Sequence, residues 1–332
     1  MWSGPRTAAV REFGFELSLC AHLEGDRDAV LARQLGGGVT EPGGRVLDTV
    51  VVEPGRAFDE RTAITPDRIP DAILLSELGP GRFRRVTAAI DARPDRARSI
   101  AEHGAKIGFL ELERRSGQLH ARQVTRYPHD WFGEILGIEN KPDLGTPGAL
   151  EEQLRIDVSL GLVDRVVLAT ESYVTGAHRN RIPEAVGIWR FDPESGELTV
   201  LREAESLAVD ESGVEVLDRR PGVSSIEIVS PEAKRRARRR VAERAYGKGW
   251  RTFDFPACAE MEARSRQRGA SLPWCAWKGR IVNPASECGE DCPGYETAAA
   301  PDVDQSAERE ARSSWIADPV GRQRTQAGLD SF

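Results

Sequence analysis

Glu139 and Lys141 stand two residues apart at the end of the short apolar run Ile135-Leu136-Gly137-Ile138. Side chains along a strand alternate between its faces, so these two are expected to point one way while Asn140 points the other. A carboxylate there can hold a divalent cation. An ammonium beside it can hold a water or a phosphate oxygen. Such a pair suits phosphodiester hydrolysis. The lysine is informative because only five lysines (Lys106, Lys141, Lys234, Lys248 and Lys278) accompany 41 arginines. Where a positive charge alone was needed, this chain used arginine; a compact ammonium with a tunable pKa is a different tool. A cross-strand or surface ion pair is the plainer reading of the same Glu-x-Lys.

A second carboxylate lies in a strand of its own. Arg45 to Glu53 is apolar and β-branched and is stopped by Pro54-Gly55. Asp48 shares a face there with Val46, Val50 and Val52, poor company for an unpaired charge. Two carboxylates with open positions left for water and phosphate would hold Mg²⁺ and neutralise a scissile phosphate. Asp130, separated from Glu139 by only eight residues, is a rival for the first acid, but it falls in a Tyr-Pro-His-Asp-Trp loop. The plainer reading of Asp48 is a buried carboxylate paired with an arginine.

A third constellation comes late in the chain, with the spacing Cys258-x16-Cys275-x12-Cys288-x3-Cys292. Clustered thiols in a cytoplasmic chain favour a metal over disulfides. Four thiolates suit a structural tetrahedral Zn²⁺, with a 4Fe–4S cluster as the alternative. Cys20 lies alone near the start, and the five histidines are dispersed.

The elements that must position these groups follow from pattern. A helix is expected over 12–35, ended by Gly36-Gly37-Gly38, and then the Asp48 strand. Residues 56–127 read as an insertion, with helices over Pro66–Leu78, Arg82–Asp91 and Pro94–Gly104 and a hairpin over 108–124 turning at Ser116-Gly117. Helices followed by a hairpin is the order of a winged helix, in which a helix enters a groove and the hairpin touches phosphates. Between Gly81 and Arg126 eleven Arg and Lys stand against five acids, in a chain whose net charge is −7. A basic island on an acidic protein suggests a polyanion site, with Arg84, Arg85, Arg96, Arg98, Arg114 and Arg115 as candidate nucleic-acid contacts. A solvated helix face is the alternative. The Glu139 strand comes next, then a loop over 142–148, a helix over about 149–162, the strand Val166–Thr170, a short helix over 173–180 and a hairpin over 186–201. Residues 231–246 form an arginine-dense helix, which either meets nucleic acid or pairs with acids elsewhere.

The order of helix, Asp48 strand, Glu139-x-Lys141 strand, helix and strand resembles the PD-(D/E)XK nuclease superfamily, the fold of many restriction and recombination nucleases. The resemblance spans roughly Glu12–Phe191 without the insertion. It implies a restriction-endonuclease-like α/β fold, a central mixed sheet flanked by helices. It implies that Asp48 and Glu139 bind Mg²⁺ and that Lys141 positions the attacking water. Glu16 on the first helix matches a further acid that many members carry. Gln153 matches the glutamine that recombination-type members place near the site. The chain departs from the pattern in three places: Leu47, where a proline often precedes the Asp; the 90 residues between Asp48 and Glu139; and Asp157, where the recombination type has tyrosine. Some members close the domain with an iron–sulfur cluster, generally with one cysteine before the core, where only Cys20 is available. The whole chain also resembles an uncharacterised family of salt-loving archaea.

At 332 residues, with 39% hydrophobic and 30% charged composition, the chain is expected to hold more than one compact unit. The divisions read as 1–55 and 128–230 for the two parts of the core, 56–127 for the winged-helix-like insertion, 231–296 for the basic helix and cysteine region, and 297–332 for a polar tail. No apolar run reaches the length of a membrane span, and the N-terminus lacks a signal-peptide core, so a cytoplasmic protein is expected. The leading functional expectation is a Mg²⁺-dependent nuclease acting on DNA. A non-catalytic DNA-binding regulator and a zinc-stabilised protein-interaction module stand beside it.

Overall fold

The computed structural model describes residues 8–41, 43–63, 69–124, 128–145, 149–266 and 269–317. The start of the expected Pro66 helix, Arg126, the Thr146-Pro147-Gly148 part of the loop and the tail beyond 317 lie outside them. The chain divides into two compact units: Met1–Glu53 with Glu134–Ser314, and Pro54–Gly133 with Trp315–Phe332.

The first unit begins with α1 (Ala8–Asp26), β1 (Val30–Gly36) and β2 (Val46–Pro54). The expected helix over 12–35 is therefore corrected: it stops at Asp26, and its last third is a strand. Val30, Leu31, Ala32 and Leu35 fit a helical stripe, but a short apolar run cannot be assigned by periodicity alone. Antiparallel pairing with β2, Val30 opposite Val52 and Leu35 opposite Leu47, buries all four.

The second unit carries α2 (Phe58–Thr62), α3 (Asp71–Leu74), β3 (Arg84–Arg85), α4 (Val86–Ala89), α5 (Pro94–Lys106), β4 (Leu110–Arg115) and β5 (Gln118–Gln123). The hairpin forms as expected, with Ser116 and Gly117 both at positive φ, the signature of a tight two-residue turn. Two of the expected helices are much shorter than the pattern suggested. The Pro66–Leu78 segment keeps α3 alone among its described residues, and Arg82–Asp91 becomes a two-residue strand followed by α4. Gly79-Pro80-Gly81 breaks the backbone between them, and Arg84-Arg85 pairs with Ala121 and His120 instead of coiling. The three strands lie in the order β3-β5-β4.

The chain then runs through β6 (Phe132–Asn140), α6 (Leu150–Leu160), β7 (Arg165–Thr170), α7 (Gly176–Arg181), β8 (Gly187–Phe191) and β9 (Leu198–Arg202). With β1 and β2 these make a six-stranded mixed sheet, β1-β2-β6-β7-β8-β9, in which β6, β7 and β8 are parallel and both edge pairs antiparallel. This is a mixed α/β architecture with helices flanking a central sheet. Leu31, Val51, Ile138, Val167 and Trp189 share one core with Phe15, Leu19 and Leu23 of α1. Alternation sends Asp48 and Glu139 away from that core. Helix α6 ends at Gly161, whose φ of 57° and closeness to the Lys234 ammonium both favour glycine.

Beyond the sheet come β10 (Gly213–Arg220), β11 (Val223–Val229), α8 (Pro231–Lys248), β12 (Met261–Arg266), β13 (Ala270–Cys275), β14 (Arg280–Ile281), α9 (Pro284–Glu287) and α10 (Gln305–Arg312). The region over 231–296 is integral to the first unit, not an appendage. Trp250, Phe253, Leu272 and Ile281 enter the α1 core. The arginine-dense α8 spends much of its charge internally: Lys234 bonds the Ala208 carbonyl at 2.8 Å, Arg238 bonds Asp164 at 2.7 Å, and Arg240 bonds the Gly38 carbonyl at 2.9 Å. The tail expectation is corrected as far as Ser314, because α10 is capped by Asp304 and its buried Arg309 bonds the Tyr246 carbonyl at 2.6 Å. Among the described residues no helix is long and apolar enough to cross a membrane.

Candidate functional site

Asp48 and Glu139 sit on the neighbouring strands β2 and β6, joined through backbone as well as charge. The Asn140 N–H donates to Asp48 Oδ2 at 2.9 Å, so the residue after Glu139 holds the Asp48 carboxylate in place. The other Asp48 oxygen accepts from Gln34 Nε2 at 3.3 Å, and the same amide donates to Glu16 Oε1 at 3.2 Å. Gln34 lies between the Arg33–Thr49 and Leu35–Leu47 pairs at a φ of 53°. That left-handed conformation is uncommon for a non-glycine residue and persists where surroundings hold it. Arg33 donates to Glu16 Oε2 at 2.8 Å, and both side chains are buried.

Arg45 organises the opposite side. Its Nε and Nη2 grip Asp157 of α6 at 2.9 and 2.7 Å, and Nη2 also reaches Glu139 Oε2 at 2.7 Å. Glu139 Oε1 stays outside that ion pair. Burial works against the Arg45 charge, but Asp157 and Glu139 outweigh it and hold the guanidinium above its ordinary pKa. Asp157 is shifted up by burial, against the Arg45 hydrogen bonds. Lys141 lies just past the end of β6, and its ammonium bonds Glu12 of α1 at 2.7 Å. The two members of the Glu-x-Lys pair thus take different partners, Arg45 for Glu139 and Glu12 for Lys141, while the Lys141 N–H still bonds the Ala169 carbonyl of β7 at 2.9 Å. Gln153 lies half-buried on α6, one turn before Asp157, and its side chain makes no hydrogen bond among the described residues.

The electrostatics of this cluster are unbalanced. Counted as ionised, Glu12, Glu16, Asp48, Glu139 and Asp157 face Arg33, Arg45 and Lys141, an excess of two negative charges. Burial pushes the Asp48 carboxyl up to about 6; Glu16 adds to the rise, and the Asn140 N–H opposes it. Burial and then the Asp48 charge push Glu139 up to about 7 against the pull of Arg45. Both groups therefore keep their protons to higher pH than free carboxyls do, and a divalent cation would compete with those protons. Among the described residues no three His, Cys, Asp or Glu side chains are gathered as a cation-binding group. Mg²⁺ is usually bound through one or two carboxylates with waters completing its shell, so the Asp48–Glu139 pair fits that ion by its donor chemistry.

This imbalance has a measurable consequence. Unfolded carboxyls titrate near pH 4. Between there and pH 7 the folded state binds more protons than the unfolded chain does. Stability in the presence of a chelator should therefore fall as pH rises through that window. Asp48→Asn should flatten the decline and raise the midpoint of thermal unfolding at pH 8, by about 1–3 kcal/mol of stability. A wild-type slope retained in the variant would show that the pair does not carry this proton.

Of the residues singled out by sequence, Glu16, Asp48 and Glu139 are brought together. Lys141 is tied to α1, and Gln153 shares a helix with Asp157. Sequence reasoning missed Gln34 and Arg33, because they were assigned to a helix, and it missed the bridging role of Arg45. Asp157, four residues after Gln153 on the same helix, was the one available signal for that side. Among the predicted nucleic-acid residues, Arg84 pairs with Glu77, Arg98 with Asp95 and Arg115 with Glu113. Arg85, Arg96 and Arg114 are exposed and have no acidic partner among the described residues. Arg114 helps line a cleft of about 290 Å³ between α5 and the hairpin, with Thr87, Arg98 and Gln118.

The sequence profile of DUF5787, described as a family of unknown function, matches residues 30–297, and the chain belongs to that family. No curated protein and no solved structure matches the chain.

Proposed function

We propose that this member of the DUF5787 family is a metal-dependent nuclease that hydrolyses phosphodiester bonds, with DNA as its substrate. The observation that carries the reading is the Asp48–Glu139 pair. Two carboxylates on adjacent strands share a site with an excess of acidic groups, and burial raises both pKa values, with Glu16 adding to the rise at Asp48 and Asp48 adding to the rise at Glu139. The order of helix, Asp48 strand, Glu139 strand, helix and strand within one unit supports the PD-(D/E)XK resemblance. Mg²⁺ held by Asp48 and Glu139 would supply charge neutralisation at the scissile phosphate and an acidified water.

The remaining residues have roles that follow from their contacts. Arg45 takes one oxygen of Glu139 and so turns the other toward the site. The Asn140 N–H and Gln34 fix the Asp48 carboxylate. Lys141, whose side chain is 22% exposed, keeps its ammonium at the rim through Glu12 and is placed to hold a water. In the second unit, the β3-β5-β4 sheet with α5 before its hairpin supports a winged-helix-like module that binds DNA. Replacing Arg114 by Ala should weaken DNA binding and reduce the salt dependence of the binding constant by about one phosphate contact. Unchanged affinity and slope in a filter-binding or anisotropy titration would remove the hairpin from the interface.

A second reading has one specific observation behind it. Arg45 already serves as the cation between Glu139 and Asp157, as it would in a nuclease-like scaffold that binds DNA without cutting it. The deciding experiment is cleavage of a panel of DNA and RNA structures with Mg²⁺, Mn²⁺ or EDTA, wild type beside Lys141→Ala. Metal-dependent cleavage lost in the variant supports the nuclease. Salt-sensitive DNA binding with no cleavage under any condition would replace it with the regulator.

A further inference from the structure

The four late cysteines converge although three separate segments carry them. Cys258 sits in the segment entering β12 and bridges to Thr297, Cys275 ends β13, Cys288 follows α9, and Cys292 closes the turn begun by Gly289. All four line one small cavity of about 10 Å³, together with Met261, Lys278 and Glu287. None is in a disulfide. The backbone N–H groups of Trp277 and Lys278 both donate to the Cys275 sulfur, and the chain turns back there at Gly279, whose N–H bonds the Cys275 carbonyl at 2.8 Å. Burial nevertheless holds the Cys275 thiol above its ordinary value, against those two donors. Burial also raises the Cys288 thiol; the Lys278 ammonium opposes the rise at both thiols and is itself fixed by the Glu287 carbonyl at 3.0 Å.

We propose that Cys258, Cys275, Cys288 and Cys292 bind one structural zinc ion, independently of the chemistry at Asp48 and Glu139. The cavity offers room for a single atom-sized guest. Cys20 supplies no fifth ligand, since it is buried on α1 against the Thr49 hydroxyl at 3.7 Å. Among the described residues no three of these thiols stand close enough together to hold a metal ion, so binding has to draw the sulfurs in to about 2.3 Å from the ion. The need for a clip is plain from the packing. Apart from the thiols, the local core consists of Met261 and Val282 with Phe255 against them. So small an apolar cluster is weak by itself, and four-thiolate zinc commonly holds such loop-rich regions. Four thiolates around Zn²⁺ leave two negative charges, which Lys278 and the amide donors at Cys275 offset.

The test is metal analysis of the full-length protein purified without chelators. We expect one zinc per chain in the wild type and in Cys20→Ala, falling to none in Cys275→Ser and in Cys288→Ser. Should those variants fail to fold, cobalt titration of chelator-treated wild type decides the matter, with a thiolate-to-cobalt charge-transfer band saturating at one equivalent. Wild type with neither bound zinc nor a cobalt band overturns the proposal. So does iron accompanied by acid-labile sulfide. Because both readouts are independent of cleavage, failure here leaves the nuclease reading intact, and an inactive Asp48–Glu139 site leaves the zinc proposal intact.

Discussion

Glu139→Gln should lower metal-dependent cleavage by at least about 10²–10³-fold while the protein remains folded. The amide keeps the shape of the side chain and can still meet Arg45, but it removes the charge that a divalent cation would share with Asp48. It also removes a buried carboxyl that burial and the Asp48 charge hold above its ordinary pKa. The variant should therefore be at least as stable as wild type in the presence of a chelator, and its Mg²⁺ stabilisation in thermal unfolding should largely disappear. Loss of activity with a raised unfolding midpoint is the pattern expected of a functional carboxylate, because such sites hold charge that folding alone would not select. A variant that cleaves as well as wild type would exclude Glu139 from the chemistry. A variant that unfolds would assign it to the Arg45 ion pair instead.

Arg45→Ala should have the largest effect on stability. The guanidinium is the shared partner of Glu139 and Asp157, with side-chain exposures of 14%, 9% and 5% respectively. Removing one member of a buried ion pair costs about 3–5 kcal/mol, because the charge left behind has no partner. Here the remaining carboxyls can take up protons, so the loss should be larger at pH 8 than at pH 5.5. Urea unfolding at both pH values measures this. Divalent cation provides the second axis. If Mg²⁺ binds at Asp48 and Glu139, it should recover part of the loss in the variant. If Arg45 is the resident cation of a non-catalytic scaffold, wild type should show no Mg²⁺ stabilisation, and the variant should acquire it. Equal stability of variant and wild type at pH 8 would mean that the triad is not closed in solution.

The sequence by itself determined the pieces whose signals are local. The run Val46–Pro54 could only be a strand, Ser116-Gly117 could only turn a hairpin, and Leu150, Leu154 and Val158 marked a helix, though not its end at Gly161. Asp48 was conspicuous because a carboxylate among valines needs a reason, and Lys141 because lysine is rare in this chain. The alternation that made Glu139 and Lys141 a pair was legible too, but it said nothing of where the strand stops. Tertiary structure alone decided that Val30–Gly36 is a strand, since its apolar pattern suits either backbone and the pairing partner lies beyond a loop. With that strand came Arg33 and Gln34, which carry Glu16 to Asp48. Tertiary structure also decided that Arg45 spans Glu139 and Asp157, 94 and 112 residues away. It decided too that the Pro231–Lys248 helix turns its charges onto carbonyls of its own unit. Periodicity reports which face of an element is apolar. Charge pairing across such distances follows from which faces meet, and only the assembled sheet fixes that.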